Sequence, residues 1–196
     1  MNKSFQAVIL AGGASKRLGQ NKALLKFNSS NLIQRIFIQA QMVVNDVHVI
    51  ADPLDDNLIP RARFIPDMIK GVGPLGGILT ALELSKKPCL ILSCDMPFIM
   101  AEHIRYLLRH FSSSHHATVA RSSDGIEPLF AIYKSEALPM IKKSISEERY
   151  AVHRFLKEIS VNFLDFRVSS FNQHLFFNIN TLSDYKKAVN LDSVDE

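Results

Sequence analysis

Cysteine is scarce in this chain of 196 residues. It has two, Cys89 and Cys94, with no Cys-x-x-Cys pair and no Cys/His spacing of the kind that ligates zinc. Both lie in one apolar segment, "PCLILSCD", where the two-residue period of a strand places positions five apart on opposite faces. No disulfide is expected between them, and the expected setting is a reducing one, the cytoplasm. Long apolar runs are also missing. Nothing approaches the roughly 20 residues of a membrane span, and the run Ala7–Ala11 is too short for a signal-peptide core. Basic runs are absent as well. The net charge is +4, but no four Lys/Arg stand together and no aromatics alternate with basic residues. That balance suits small anions or an acidic partner and argues against nucleic acid. No internal repeat or linker interrupts the chain. The only biased segments are "SSSHH" at 112–116 and the acidic tail after Leu191. One domain spanning 1–196 is expected.

What is present is an alternation of strand and helix patterns. "FQAVILAGG" reads as a buried strand, Ala7–Leu10, running into a glycine loop. Asn31 can cap a helix whose Ile33, Ile36, Phe37, Ala40 and Val43 recur at helical spacing. Strands follow at Val47–Ile50 and around Phe64–Ile65. "GVGPLGGILTALEL" then opens a helix with Leu75, Ile78, Leu79 and Leu82 on one face. "CLILSCDMPF" is the most apolar strand and stops at an acid, and Ile104, Leu107, Leu108 and Phe111 mark the next helix. This order predicts an α/β, Rossmann-like, three-layer fold with a mostly parallel central sheet flanked by helices. In the second half, strands are expected at Thr118–Ala120, Leu129–Tyr133 and Val161–Leu164. Helices are expected at Ser135–Ser144, Val152–Ile159 and Leu182–Val189. Thr181, with Asp184 three residues on, forms an acidic relative of the capping box.

The stretch "LAGGASKRLGQNK", Leu10–Lys22, has neither the Walker spacing nor the GxGxxG dinucleotide fingerprint. Its chemistry is still that of an anion site. Gly12 and Gly13 allow a ligand close to the backbone, and Lys16, Arg17 and Lys22 supply cations, the guanidinium able to hold two phosphate oxygens at once. A glycine turn before a solvated basic stretch is the alternative. Three other stretches bear on the choice. "GVGPLGG" (Gly71–Gly77) is a second glycine loop leading into a helix. "SCDMPF" places Asp95 at the C-terminal edge of a parallel strand, where open α/β sheets bind ligands. One carboxylate there, with substrate phosphates, suffices for Mg²⁺, although Asp95 could equally cap a turn before Pro97. "FFNINTLSDY" sets Asn178 and Asn180 on one face of an extended segment, for ligand recognition or for ordinary turn chemistry. His115 and His116 read as a solvated loop, His48 as the polar face of a strand, and His153 and Arg154 as a solvated helix face.

Together these stretches resemble the molybdenum cofactor guanylyltransferase family, within the nucleotide-diphospho-sugar-transferase-like nucleotidyltransferases. Leu10–Lys22 matches LAGGxSxRxGxxK at every defined position, Gly73–Gly77 matches GPLxG, and Cys94–Pro97 matches CDxP. Phe176–Asp184 matches FxNxNTPxD except that Leu182 replaces the usual proline. The resemblance implies transfer of GMP from GTP to the terminal phosphate of Mo-bound molybdopterin, with release of pyrophosphate. It implies a nucleotide-binding half at 1–110, an acceptor-binding half at 111–190 and a disordered tail at 191–196. Carried over by motif, Leu10, Ala11, Gly12, Gly13, Lys22, Asp67 and Asp95 would bind the nucleotide, and Asp95 would hold Mg²⁺. Asn178 and Asn180 would lie on the pterin side, and Glu127, in a loop "DGIEPLF" with Pro128, would face the acceptor. A second-strand asparagine of some members falls near Ile50, where only Asp52 is polar. Possible further partners are molybdoenzymes or their chaperones.

The residue types agree with that chemistry. A phosphate monoester is a competent nucleophile at neutral pH, so no Ser/His/Asp triad or general base is needed, and none is evident. Catalysis is then positioning plus charge stabilisation, with Arg17, Lys22 and Asp95 as the catalytic groups. The rival readings are a cytidylyltransferase for molybdopterin or for a sugar or isoprenoid phosphate, and a non-catalytic GTP-binding factor that delivers cofactor.

Overall fold

A computed structural model of the chain describes residues 2–12, 21–51, 59, 62–167, 171 and 174–192. The expected strand–helix alternation becomes nine strands and six α-helices among these residues. The strands are β1 (Asn2–Leu10), β2 (Lys26–Phe27), β3 (Ser30–Asn31), β4 (Val44–Ile50), β5 (Arg63–Ile65), β6 (Cys89–Ser93), β7 (Ala117–Arg121), β8 (Ile126–Tyr133) and β9 (Val161–Asp165). The helices are α1 (Leu32–Gln41), α2 (Pro74–Leu84), α3 (Ala101–Arg109), α4 (Leu138–Ser146), α5 (Val152–Phe155) and α6 (Leu182–Asp192). Seven strands form one sheet in the order β5-β4-β1-β6-β8-β7-β9, while β2 and β3 make a separate hairpin. Within the seven-stranded sheet all neighbouring pairs are parallel except those of β8, which runs antiparallel to both β6 and β7.

Burial divides the side chains of the central strands by the strand period. Ala7, Ile9, Leu90 and Leu92 join a core with Ile33, Ile36 and Phe37 of α1 and Ile104 and Leu107 of α3. Val8, Leu10, Cys89 and Ile91 join the opposite core with Leu75, Ile78 and Leu82 of α2, Ile141 of α4 and Phe155 of α5. Strands covered on both faces read as continuous apolar runs, which is what "AVIL" and "CLIL" show. Cys89 and Cys94 accordingly fall in opposite cores, both as free thiols. Among the described residues no helix is long and apolar enough to cross a membrane.

The helix starts follow local chemistry. The backbone N–H of Asn31 donates to Gln34 Oε1 at 2.9 Å at the head of α1. Thr181 Oγ1 accepts from the Asp184 N–H at 3.1 Å while Asp184 accepts from the Thr181 N–H at 2.8 Å, the reciprocal cap expected for α6. Three expectations need correction. The helix expected over Val152–Ile159 ends at Phe155, because Lys157 and Glu158 turn to i−3 carbonyls and Arg149 ion-pairs with Glu158 to hold the exit toward β9. Glu127 and Pro128 lie not in a loop but inside β8; the register shift against β7 falls beside Pro128, which has no N–H to donate. Leu191 and Asp192, expected in the disordered tail, are helical, and Asp192 pairs with Arg35 at 3.0 Å; the rest of that stretch, 193–196, lies outside the described residues.

Candidate active site

The order β5-β4-β1-β6 places the sheet's change of winding between β1 and β6. From that point the strand order runs in opposite directions, β4 and β5 on one flank and β8, β7 and β9 on the other, and the C-terminal edge at such a reversal is where open sheets bind ligands. Leu10 and Ser93 are register partners there, so Ala11–Gly12 and Cys94–Asp95 emerge side by side. A cleft of about 560 Å³ occupies this edge, lined by Leu10, Ala11, Gly12, Lys22, Asp67 and Asp95 of the expected residues. Asn21, Lys70, Gly71, Gly73, Pro74 and Ser93 complete much of its polar and glycine wall.

Lys22 reaches the cleft from a single 3-10 turn, Lys22–Leu24, whose N-cap Asn21 accepts from the Ala23 N–H at 3.1 Å. The turn is held from below by buried Leu25 and Phe27, which pack with Leu32, Phe98, Ile179 and Ala188 in a third small core. Its ε-ammonium lies 2.7 Å from Asp95 Oδ2 and donates to Asn180 Oδ1 at 2.9 Å. The Ser93 hydroxyl donates to the other oxygen, Asp95 Oδ1, and the Ile179 N–H donates to the Asp95 carbonyl at 3.0 Å. Three distant motifs therefore converge on the Lys22–Asp95 ion pair: the first loop, the end of β6 and the late asparagine segment.

The glycines of the second loop act through geometry. Gly73 caps α2 at φ 69° and ψ −152°, a conformation open in practice only to glycine. A Cβ on Gly77 would stand 2.8 Å from Leu10 Cδ2, so a larger residue there would force the Leu10 side chain to move where α2 packs on β1. Asp67 faces the cleft from the segment between β5 and α2, with its Oδ1 3.0 Å from the Thr80 hydroxyl.

The other expected residues are placed as follows. Asn178 turns its amide back to the Phe176 carbonyl at 3.0 Å, apart from Lys22. Glu127 is half-buried, accepts from the Ser122 hydroxyl at 2.8 Å, and carries a carboxyl raised above its ordinary range by burial, with the Asp124 and Asp95 charges adding to the rise. Gly13, Lys16, Arg17 and Asp52 lie outside the described residues. His115 bonds locally to Ser112 and Ser114, and His116 accepts from the Ser160 N–H. His48 sits 2.7 Å from Asp46 on β4, while His153 and Arg154 are exposed. Among the described residues no cluster of three His, Cys, Asp or Glu could hold a metal. The Cys94 thiol, at the cleft wall, is pushed up to about 12 by burial and by the charge of Asp95, so it is no nucleophile.

Lys70, Asn21 and Thr80 were not singled out by sequence. Asn21 had a readable signal, a capping residue directly before Lys22. The other two depend on how the β5–α2 segment folds back over the helix.

Comparison with known proteins agrees with this geometry. Residues 7–162 match the MobA-like NTP transferase domain. A probable molybdenum cofactor guanylyltransferase of Pelotomaculum thermopropionicum is 36% identical over 185 residues, covering 92% of this chain and 90% of that protein. The molybdenum cofactor guanylyltransferase of Syntrophotalea carbinolica is 30% identical, with 94% and 90% covered. Among solved structures, molybdopterin-guanine dinucleotide biosynthesis protein A from Archaeoglobus fulgidus superposes with a TM-score of 0.83 at 26% identity, covering 96% of this chain and 99% of that one. A CMP:2-keto-3-deoxy-manno-octonic acid synthetase complexed with CTP shares the fold at a TM-score of 0.76 and 13% identity. With its glycine-rich first motif, its switch-point carboxylate and these relatives, the chain belongs to the molybdenum cofactor guanylyltransferase family of MobA-like nucleotidyltransferases.

Proposed function

We propose that the protein transfers GMP from GTP to the terminal phosphate of Mo-bound molybdopterin, releasing pyrophosphate and forming molybdopterin guanine dinucleotide. The observation that carries this reading is the convergence of Lys22, Asp95 and Asn180 at the sheet's switch point, beside a cleft walled by glycine-rich backbone. The guanine and the pterin are supported by the names of the curated relatives. The fold alone is shared with a cytidylyl enzyme.

The obstacle in the reaction is charge, since an anionic phosphate must approach an anionic triphosphate. The acceptor phosphate, with its second ionisation near pH 6, attacks the α-phosphorus without a general base. The bond from the α-phosphorus to the bridging oxygen breaks, and pyrophosphate leaves with that electron pair. Lys22 is set to exchange Asp95 for phosphate oxygens as the nucleotide enters, and it then balances charge on the triphosphate. Arg17, by its place in the motif, holds the leaving pyrophosphate through bidentate contacts. The backbone of Leu10–Gly13 lies against the phosphates, and Asp67 binds the nucleoside part. Glu127, Asn178 and Asn180 are placed on the acceptor side.

Asp95 is the carboxylate that would hold Mg²⁺. A lone carboxylate with a hydroxyl neighbour fits an ion that keeps most of its ligands as water and phosphate. Bound there, Mg²⁺ supplies polarisation of the phosphate oxygens.

Thermal shift with each nucleoside triphosphate in the presence of Mg²⁺ tests the base assignment. The reading predicts a larger rise in melting temperature with GTP than with CTP. A clear preference for CTP would assign the protein to the cytidylyl branch instead.

A further inference from the structure

α2 carries one buried polar side chain in an otherwise apolar interior. Thr80 is 0% exposed, between Leu79 and Ala81 and one turn beyond Gly76. A β-branched hydroxyl is a poor choice for a helix interior on propensity alone, and a buried hydroxyl is costly unless it is hydrogen-bonded. One of its partners, Asp67, lines the cleft. Thr80 Oγ1 accepts from the Met68 N–H at 3.1 Å, and it stands 3.0 Å from both Asp67 Oδ1 and the Gly76 carbonyl oxygen. The hydroxyl has one proton for two acceptors. The carboxylate is the stronger acceptor, because hydrogen bonds to ionised groups are about twice as strong as neutral ones.

We propose that Thr80 is a positioning residue for nucleotide binding: it grips the Asp67 carboxylate and the adjacent Met68 amide, and so fixes Asp67 in the wall of the cleft. The inference rests on the reading of the cleft as the nucleotide site. Thr80 touches no substrate and acts through Asp67. The segment Asp67–Gly71 crosses from β5 to α2 largely exposed, and the buried Thr80 hydroxyl joins the Asp67 carboxylate to the rigid helix. A carboxylate held in place before the nucleotide arrives costs less ordering on binding, so loss of the Thr80 contact should weaken affinity. A threonine that only back-bonds its own helix would leave nucleotide affinity untouched.

The test is a double-mutant cycle with Thr80→Val, Asp67→Asn and the pair, measuring GTP affinity by calorimetry and, separately, KM and kcat. Thr80→Ser, which keeps the hydroxyl, is the rescue. Loss of a charge-assisted hydrogen bond predicts about tenfold weaker GTP binding in Thr80→Val, read in KM with kcat nearly unchanged. Thr80→Ser should bind GTP close to wild type, and the pair should bind no more weakly than Asp67→Asn alone. If Thr80→Val loses its cooperative melting transition, Thr80→Ala is read in its place with the same expectations. A folded hydroxyl-less variant with wild-type GTP affinity, or full additivity with Asp67→Asn, overturns the role of Thr80. A wild-type protein without affinity for any nucleoside triphosphate overturns the nucleotide-site reading itself, and this inference with it.

Discussion

Replacing Lys22 by alanine removes an ammonium held 2.7 Å from Asp95 and 2.9 Å from Asn180. At 2.7 Å and an effective dielectric of about 20, the gross attraction to Asp95 is roughly 6 kcal/mol. Desolvation cancels most of it, and the side chains keep 18% and 16% of their exposure, so the pair is neither free in solvent nor sealed. A net stability loss of about 1–2 kcal/mol lies between the values for exposed and buried pairs. For a chain of this size that lowers the melting temperature by about 2–8 °C. The total stability of a domain is about 5–15 kcal/mol, so the variant stays folded at 25 °C. The rate should suffer more. Loss of one donor to transition-state charge costs about 10²–10³ in turnover, or roughly 3–4 kcal/mol. Pyrophosphate release at saturating GTP and Mg²⁺, run beside a melting curve, separates the two effects. Turnover within about threefold of wild type would refute the catalytic role of Lys22, whatever the melting temperature did.

Three further outcomes follow from other parts of the molecule. The Glu127 carboxyl is raised chiefly by burial, so its ionised form opposes folding, and its stabilising contribution is present at low pH and lost as pH rises through its folded value. Glu127→Gln should therefore raise the melting temperature at pH 7, with the gain closing below about pH 4 where both states are protonated; a gain that instead grew on acidification would contradict the burial argument. Gly73→Ala forces a side chain onto φ 69°, at a cost of about 1–3 kcal/mol. It should lower the melting temperature and raise KM for GTP, and an unchanged KM would detach this loop from the nucleotide. Arg35 donates to the Pro97 carbonyl at 2.7 Å, pairs with Asp192 at 3.0 Å and lies 5.0 Å over the Phe27 ring. Arg35→Ala should cost about 2–3 kcal/mol, seen as a shifted urea midpoint with an unchanged slope. A shift under about 0.5 kcal/mol would show that α6 is held without this node.

The parts of the fold legible in the sequence are those where one periodicity acts alone. The Ala7–Leu10 half of β1 and the body of β6 are unbroken apolar runs, each followed by a helical pattern, and the parallel half of the sheet follows from that alternation. α6 was legible from its cap, since Thr181 and Asp184 are neighbours in sequence and bond reciprocally. The loop that the resemblance implies for Glu127 and Pro128 is a strand here, because the register shift against β7 lets β8 tolerate the proline. α5 was overextended because Leu156 and Ile159 keep the helical period while the backbone has already tightened toward β9. For the site, the glycine loops and Asp95 were legible as local motifs. That Asn180 meets Lys22 while Asn178 turns away was not, since the two stand on one face of an extended segment and only the path of the backbone beneath Asp95 separates them. Thr80 had no local signal at all; its role appears only when the segment after β5 folds back over α2.

The central claim is guanylyl transfer at the Lys22–Asp95 site, and product analysis tests it most directly. Wild-type protein, Mg²⁺ and Mo-bound molybdopterin are incubated with each of the four nucleoside triphosphates, and the products are separated and weighed by mass spectrometry. Guanylyl transfer at this site yields molybdopterin guanine dinucleotide and pyrophosphate from GTP, in equal amounts, and Asp95→Ala abolishes both. Formation of the cytosine dinucleotide in preference to the guanine one, or undiminished product from Asp95→Ala, would contradict it.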